Sequence, residues 1–333
     1  MRGLDVSVVI AARSGDQMVS QCLAHLEVQS YPAGRFEVVV CCGDEEAERT
    51  RIERLLRGSP VPTRTLGVAG GSWAALANAG VEAAQGRWLL FLDEGLLASP
   101  GLVESHVRTQ ETKGGRCAVI GSVGLHPHVD PATFTPWEVL CEPVAHQPGD
   151  ARPWHVWRAF NLSVPREALE SAGAFDTAEE IASVADLDLA YRLTQQEMPG
   201  YYAADAAAYG LRPTTLAHER RRHYNLGYDT HALLKRTAMP QLRSTILGAA
   251  PRGTLTRARL ELPVWEQLST TMDPGSATFR QLIRRILHLR AHQGFADAQA
   301  GRPRRSFASL PPLPTPDTVL PGASPDTMDA PHE

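Results

Sequence analysis

The sequence predicts an α/β domain on a mixed, mostly parallel sheet flanked by helices, with a helical extension toward its C-terminus. Three observations carry this. Between Val6 and Leu92, short β-branched runs alternate with runs of helical period. The Trp88–Leu92 run is apolar throughout, as in a strand buried on both faces. This fourth run stops abruptly at Asp93-Glu94-Gly95. In an open α/β sheet the carboxyl ends of the strands are where ligands bind. Two acids there can hold a divalent cation or act as a base or hydrogen-bond acceptor. They can equally start a turn or cap the helix expected near Pro100.

In order, Val6–Ala12 is read as a first buried strand on its β-branched content. Gln17–Gln29 follows as a helix, with Met18, Cys22, Leu23 and Leu26 on one face. Phe36–Cys42 is a second strand, Glu45–Arg57 a charged surface helix and Val61–Leu66 a third strand. Gly70-Gly71-Ser72 opens the alanine-rich helix Trp73–Ala84, either as a turn with an N-cap or as backbone N–H groups turned toward a phosphate. Four strands separated by helices imply right-handed parallel crossovers.

The second half reads differently. Ala118–Val123 and Trp154–Ser163 are strand candidates, and His126–Gly149 is an irregular excursion rich in Pro and His. Arg166–Ala172 is a short helix ended by Gly173, and Asp186–Gln195 a helix with an acid near its start. Tyr201–Tyr209 is a strand or loop, and His218–Lys235 is basic and aromatic. Arg220-Arg221-Arg222, with Arg212 and Lys235, can clamp an anion or form a solvated surface. Phe279–His292 is a basic amphipathic helix, able to lie on a membrane surface or to pack on its own domain. Prolines recur from Pro303 to Pro331, and this stretch is expected to be disordered. The resulting division is 1–235 (about 1–125 and 126–235 as halves), a helical extension 236–300 and a tail 301–333.

A formal net charge of −4 gives no global basic field, so nucleic acid is not an expected partner. The five cysteines lack zinc spacing and read as reduced thiols. Met1–Asp5 does not read as a secretory signal, and the expected location is cytoplasmic, with peripheral contact to the inner membrane face through 279–292.

These pieces, in this order, resemble the family 2 glycosyltransferases with the GT-A fold. The resemblance runs through Val6–Arg13, Gln29-Ser30-Tyr31-Pro32, Phe36–Val40, Ala77-Asn78-Ala79-Gly80, Ala84-Gln85-Gly86 and Phe91-Leu92-Asp93. It resumes at Asn161–Val164, Gly173-Ala174-Phe175-Asp176 and Ala185–Leu189 with Arg192-Leu193, and covers roughly 5–230. It implies a nucleotide-sugar donor over the first strands, near Ala12, Arg13, Asp44, Asn78, Asp93 and Glu94. It implies Asp186 as the base that deprotonates an acceptor hydroxyl, with inversion at the sugar, and Asn161 and Trp157 on the acceptor side. It also implies a divalent cation, Mg or Mn, on Asp93 and His218; a surface histidine is the other reading of His218. Asp188 is read as structural, paired with Arg192.

The chain departs from that pattern in three places. Cys41 and Cys42 stand where paired aspartates are usual, Gly95 replaces the last acid of an Asp-x-Asp motif, and Ala185 replaces the glutamate before Asp186. Two functions therefore follow: transfer of a sugar from a nucleotide-diphosphate donor to a glycan, lipid or natural-product hydroxyl, or a glycosyltransferase-like binding or scaffold protein that has lost catalysis.

Overall fold

The computed structural model describes residues 3–13, 16–126, 151–210, 216–237, 242–248, 253–269, 271–272 and 276–305. Eight strands form one sheet: β1 (Val6–Ala11), β2 (Phe36–Gly43), β3 (Thr63–Val68), β4 (Trp88–Leu92), β5 (Leu96–Ala98), β6 (Ala118–Leu125), β7 (Asn161–Pro165) and β8 (Gly200–Gly210). Their order is β3-β2-β1-β4-β7-β6-β8-β5. β1 to β4 are parallel neighbours, β7 runs antiparallel to β4 and β6, and β5 runs antiparallel to β8. The helices are α1 (Asp16–Glu27), α2 (Glu46–Leu55), α3 (Trp73–Ala83), α4 (Leu102–Thr112), α5 (Arg166–Ala172), α6 (Ala185–Gln195), α7 (Leu216–Arg236), α8 (Leu242–Leu247), α9 (Thr254–Ser269) and α10 (Ala277–Gln299).

The apolar runs do what their composition requires. Every residue of β4 is buried, with Trp88, Leu90 and Leu92 in the core layer on one face and Leu89 and Phe91 in the layer on the other. One buried polar cluster joins the first strands at their amino ends. Ser7 Oγ donates to Glu37 Oε1 at 2.6 Å, and the Gln85 N–H donates to the same oxygen at 2.7 Å. The Gly86 N–H donates to Ser7 Oγ at 2.8 Å. Arg64 supplies the counter-charge to Glu37. A charge this buried persists only when paired and hydrogen-bonded, which accounts for a glutamate inside a strand.

Three expectations change. Trp154–Ser163 is not one strand: Trp154–Val156 is a 3-10 turn and β7 begins only at Asn161. Trp154 and Val156 pack instead in the same core layer as Trp157, whose ring lies against Gly200, where a Cβ would collide with it, and Phe160 packs in the opposite layer. The apolar face of 279–292 is also not open to a membrane surface. Phe279, Ile283, Ile286, Leu287 and Leu289 form a buried cluster with Leu262 of α9, so the apolar face is covered within the chain. The stretch from Gly301 was expected to be disordered, but Arg302, Arg304 and Arg305 are held by Asp297, Asp229 and Asp297 respectively. Residues 306–333, most of the 126–149 excursion, Arg212 and Cys141 lie outside the described residues.

The long helices α7 and α10 cross in close contact, and two glycines permit it. A Cβ on Gly227 would fall on the Ala291 carbonyl, and one on Gly294 on the Tyr224 carbonyl. Backbone cannot yield there as a flexible side chain would. Gly227→Ala and Gly294→Ala should therefore each destabilise the fold by about 2 kcal/mol or more, read as a lower denaturant midpoint. Gly58→Ala, at an open turn position, should cost about 1 kcal/mol or less.

Candidate active site

The topology gathers the polar residues on one rim. Because β1 to β4 are parallel, their carboxyl ends share an edge, so Ala12-Arg13, Asp44 and Asp93-Glu94 all leave the sheet there. β7 enters at the same edge, since Leu92 pairs with Asn161 in antiparallel register. The segment 157–160 before β7 therefore lies beside the acids after β4. The Asp93 N–H donates to the Phe160 carbonyl at 3.0 Å. Two residues earlier, Arg158 Nε lies 2.9 Å from Asp186 Oδ2. The N–H does not aim along that line, so the contact is a close ion pair without good hydrogen-bond geometry. Arg158 and Phe160 are two residues apart, a span of at most about 7 Å. Asp93 and Asp186, far apart in sequence, are thus each attached to one short segment, Asp93 to its Phe160 carbonyl and Asp186 to its Arg158 side chain.

Each acid has its own attachment. Asp93 is half-buried, and its Oδ1 accepts the Gly95 N–H at 2.8 Å. The turn reading of this residue is therefore correct, and it still leaves Oδ2 directed elsewhere. Glu94 is buried at 3% exposure, and its Oε2 accepts the Arg13 N–H at 2.8 Å, tying the ends of β4 and β1 together. Neither acid caps the next helix, whose N-cap is Gly101. Both acids lie close enough to the buried Cys22 thiol of α1 that, after burial itself, they help push its pKa well up. Asp186 sits in the first turn of α6 with its side chain 13% exposed, and its Oδ1 accepts the Leu187 N–H at 2.9 Å. Carboxylate oxygens with one partner can accept another.

The remaining sequence candidates divide. Arg13 and Asp44 are exposed at the rim. Ala12 is buried, and its N–H donates to the Cys41 carbonyl at 2.8 Å. Asn78 does not face a donor. Its amide makes a two-way clasp with the Phe175 backbone, donating to the carbonyl at 2.8 Å and accepting the N–H at 2.9 Å. Asn161 does not face an acceptor: it is fully buried, its Nδ2 donates to the Ser122 and Ala206 carbonyls, and its Oδ1 contacts His106 Nε2 at 2.9 Å. Trp157 is 1% exposed, with its indole N–H donated to the Arg152 carbonyl. Asn161 and Trp157 fix the segment that carries Arg158 rather than touching ligand. Asp188 pairs with Arg192 at 2.8 Å, and Arg192 also donates to the Ala174 carbonyl.

Cys41 and Cys42 point to opposite faces of β2, into separate core clusters. Burial pushes the Cys41 thiol up to about 12. Neither reaches the rim, so the second strand offers it only Asp44. At the turn before α3, Gly70 and Gly71 have φ of 85° and 51°, and Ser72 Oγ caps the helix by accepting the Ala75 N–H. The arginine run on α7 is largely spent on ion pairs. Arg220 pairs with Glu266 at 2.7 Å and Arg222 with Glu219 at 2.9 Å.

Sequence reasoning gave no role to Arg158 and left the burial at the start of α7 unread. His223 is packed there, with its Nδ1 2.9 Å from the Glu219 carbonyl. Its pKa is pushed down to about 3 by burial first, then by Arg222, with Arg158 also contributing. Two turns on, Asp229 accepts the Ser183 N–H just ahead of α6. The available signal for Arg158 was its position immediately before a strand that enters at the rim. An open cavity of about 680 Å³ lies at the opposite sheet edge, lined by Leu4, Arg87, Arg116 and Arg166 among others. It contains neither Asp93 nor Asp186, so the site is located by the carboxylates and the strand ends.

Among the described residues no group of three or more His, Cys, Asp and Glu side chains converges as a metal cage. Asp93 fits a cation whose remaining ligands are phosphate oxygens and water, the usual arrangement for Mg²⁺. His218, on the first turn of α7, is half-buried.

No protein-family model matches the sequence, and no curated protein matches it. Solved structures are similar in fold. The mannosyltransferase PcManGT from Pyrobaculum calidifontis, in complex with GDP-Man and Mn²⁺, superposes with a TM-score of 0.60 at 16% identity, over 91% of this chain and 89% of its own. S. aureus TarS 1–349 gives 0.55 at 14% identity, over 91% and 93%. The same TarS segment in complex with UDP-GlcNAc gives the same values. The shared feature is the fold, a GT-A-like sheet with flanking helices.

His106, held at about 4 chiefly by burial, and His223 are both neutral in the fold. Each binds a proton more readily unfolded, so its stabilising contribution is complete above about pH 6.5 and is lost as pH falls toward about 4. Denaturant midpoints should fall from pH 7 to pH 5, by about 2 kcal/mol per imidazole. The double variant His106→Gln, His223→Gln should show a flatter profile in the same measurement.

Proposed function

We propose that the chain is an inverting glycosyltransferase that moves a sugar from a nucleotide-diphosphate donor to an acceptor hydroxyl. The observation that carries this is the joining of Asp93 and Asp186 on one rim through residues 158–160. Ligands of open α/β sheets lie over such a rim. The similar structures include one bound to GDP-Man with Mn²⁺ and one bound to UDP-GlcNAc.

In this reading Asp186 accepts the proton of the attacking hydroxyl. As the new bond to the anomeric carbon forms, the bond to the diphosphate oxygen breaks and the nucleoside diphosphate leaves. An alcohol is a weak nucleophile until a base within hydrogen-bond reach takes its proton. Arg158 holds the Asp186 carboxylate against the rim. Asp93 and Asp44 face the donor, and a divalent cation bound between Asp93 and the diphosphate would neutralise charge on the leaving group. Glu94 keeps the β1 and β4 ends in register beneath it.

The buried Cys41 and Cys42 favour a second reading, a binding or scaffold protein with a nucleoside pocket that lacks the usual second-strand acids. One variant separates the two. Asp186→Asn should reduce turnover by about 10²-fold or more, while calorimetric binding of GDP-mannose or UDP-GlcNAc, measured with Mn²⁺, stays within about twofold of the parent. Unchanged turnover in this variant removes Asp186 as the base. Binding of none of a panel of nucleotide sugars, with or without Mn²⁺, would favour the scaffold.

A further inference from the structure

Three of the five large apolar side chains exposed among the described residues lie on α9: Leu260 at 70%, Val264 at 62% and Leu268 at 49%. Their spacing of four puts them in a single stripe along the solvent side of the helix. The opposite face of α9 is already satisfied, with Leu262 buried in the α10 cluster. The stripe is therefore not a misplaced core, and an exposed apolar ridge of this kind marks a docking surface.

The surroundings of the ridge specify the chemistry of what docks. Among the side chains described between 253 and 290, four arginines (Arg280, Arg284, Arg285 and Arg290) stand against two acids (Glu261 and Glu266), in a chain whose net charge is −4. Glu261 is engaged by Arg285 at 3.6 Å, and Glu266 by Arg220 at 2.7 Å and Arg290 at 2.6 Å. Arg285 also lies over the Trp265 ring, 4.2 Å from its centroid, on the flank that borders the ridge. Arg280 and Arg284 are exposed on α10, the helix packed against α9, with no ion pair among the described residues. An isologous contact between two copies would set this cationic rim against itself.

We propose that the α9 ridge with its arginine rim docks the protein on an anionic lipid surface. The aliphatic stripe enters the headgroup boundary and the arginines meet lipid phosphates. This is the geometry of an interfacial helix, and arginines near an anionic leaflet are drawn to its lipid phosphates. The surface lies on α9 and the exposed side of α10, not on the buried face of 279–292, and the proposal does not depend on the transferase reading.

Flotation of the full chain with phosphatidylcholine vesicles, and with vesicles also containing phosphatidylglycerol, tests this. Binding should be at least about tenfold stronger to the anionic vesicles and weaken with salt. The triple variant Leu260→Ser, Val264→Ser, Leu268→Ser and the double variant Arg280→Gln, Arg284→Gln should each lose most of it, with unchanged circular dichroism and melting. Absence of binding to both vesicle types, equal binding to both, or full binding by both variants would overturn the proposal. So would self-association in light scattering that the same substitutions abolish, which would assign the ridge to a second copy.

Discussion

The antiparallel pairing of β4 with β7 decides where the polar residues of this protein end up. Four parallel strands alone would place only Ala12-Arg13, Asp44, Val68 and Asp93 at their carboxyl edge. By inserting β7 in the opposite direction, the fold makes the chain arrive at that edge at Phe160, directly beside Asp93. Arg158 then stands within reach of α6, and Asp186 is tied to the segment whose Phe160 carbonyl holds Asp93. The second half of the domain touches the first half's acids only through this register.

That register is held from below by side chains with no contact to the rim. His106 bridges Ser163 and Asn161 at 2.9 Å each, and Gln110 donates to the Cys117 and Ser163 carbonyls. The Asn161 amide closes the set on β6 and β8. A buried network with its members satisfied favours one arrangement over its alternatives, because losing any one partner strands polar groups in an apolar core. Beside it, Trp157 anchors the start of the same segment against Gly200. The rim carboxylates are placed by this apolar and amide framework, not by contacts with each other.

The first half was legible because its information is local. Mostly apolar runs in β1, β2 and β4, helical spacing in α1 to α3 and the turn residues between them can be read without reference to anything distant. The three-residue strand β5 and the helices α8 and α9 carry no such local mark: Leu96–Ala98 is too short to show a period, and α9 contains Pro263 and an exposed apolar stripe. At the site, the acids themselves could be picked out by type and position. What could not be read was direction. Asn78, Asn161 and Trp157 are residue types that serve ligands as readily as they serve backbone, and only tertiary structure turns them inward. Arg158 was hidden for the converse reason, since its partner lies on an element that sequence spacing cannot bring near.

The arginines at 302, 304 and 305 alter where the folded body ends. Asp229 is fully buried in α7 and Asp297 is 2% exposed on α10, and these three side chains supply their opposite charges. Tyr228 adds a hydrogen bond to the Arg302 carbonyl. A polypeptide stopped at Ala300 would retain every helix yet leave two interior carboxylates uncompensated, a situation that costs several kcal/mol per group. Any trimming, tagging or grafting of this module therefore has to keep Arg302, Arg304 and Arg305, the last of them six residues beyond the final helix.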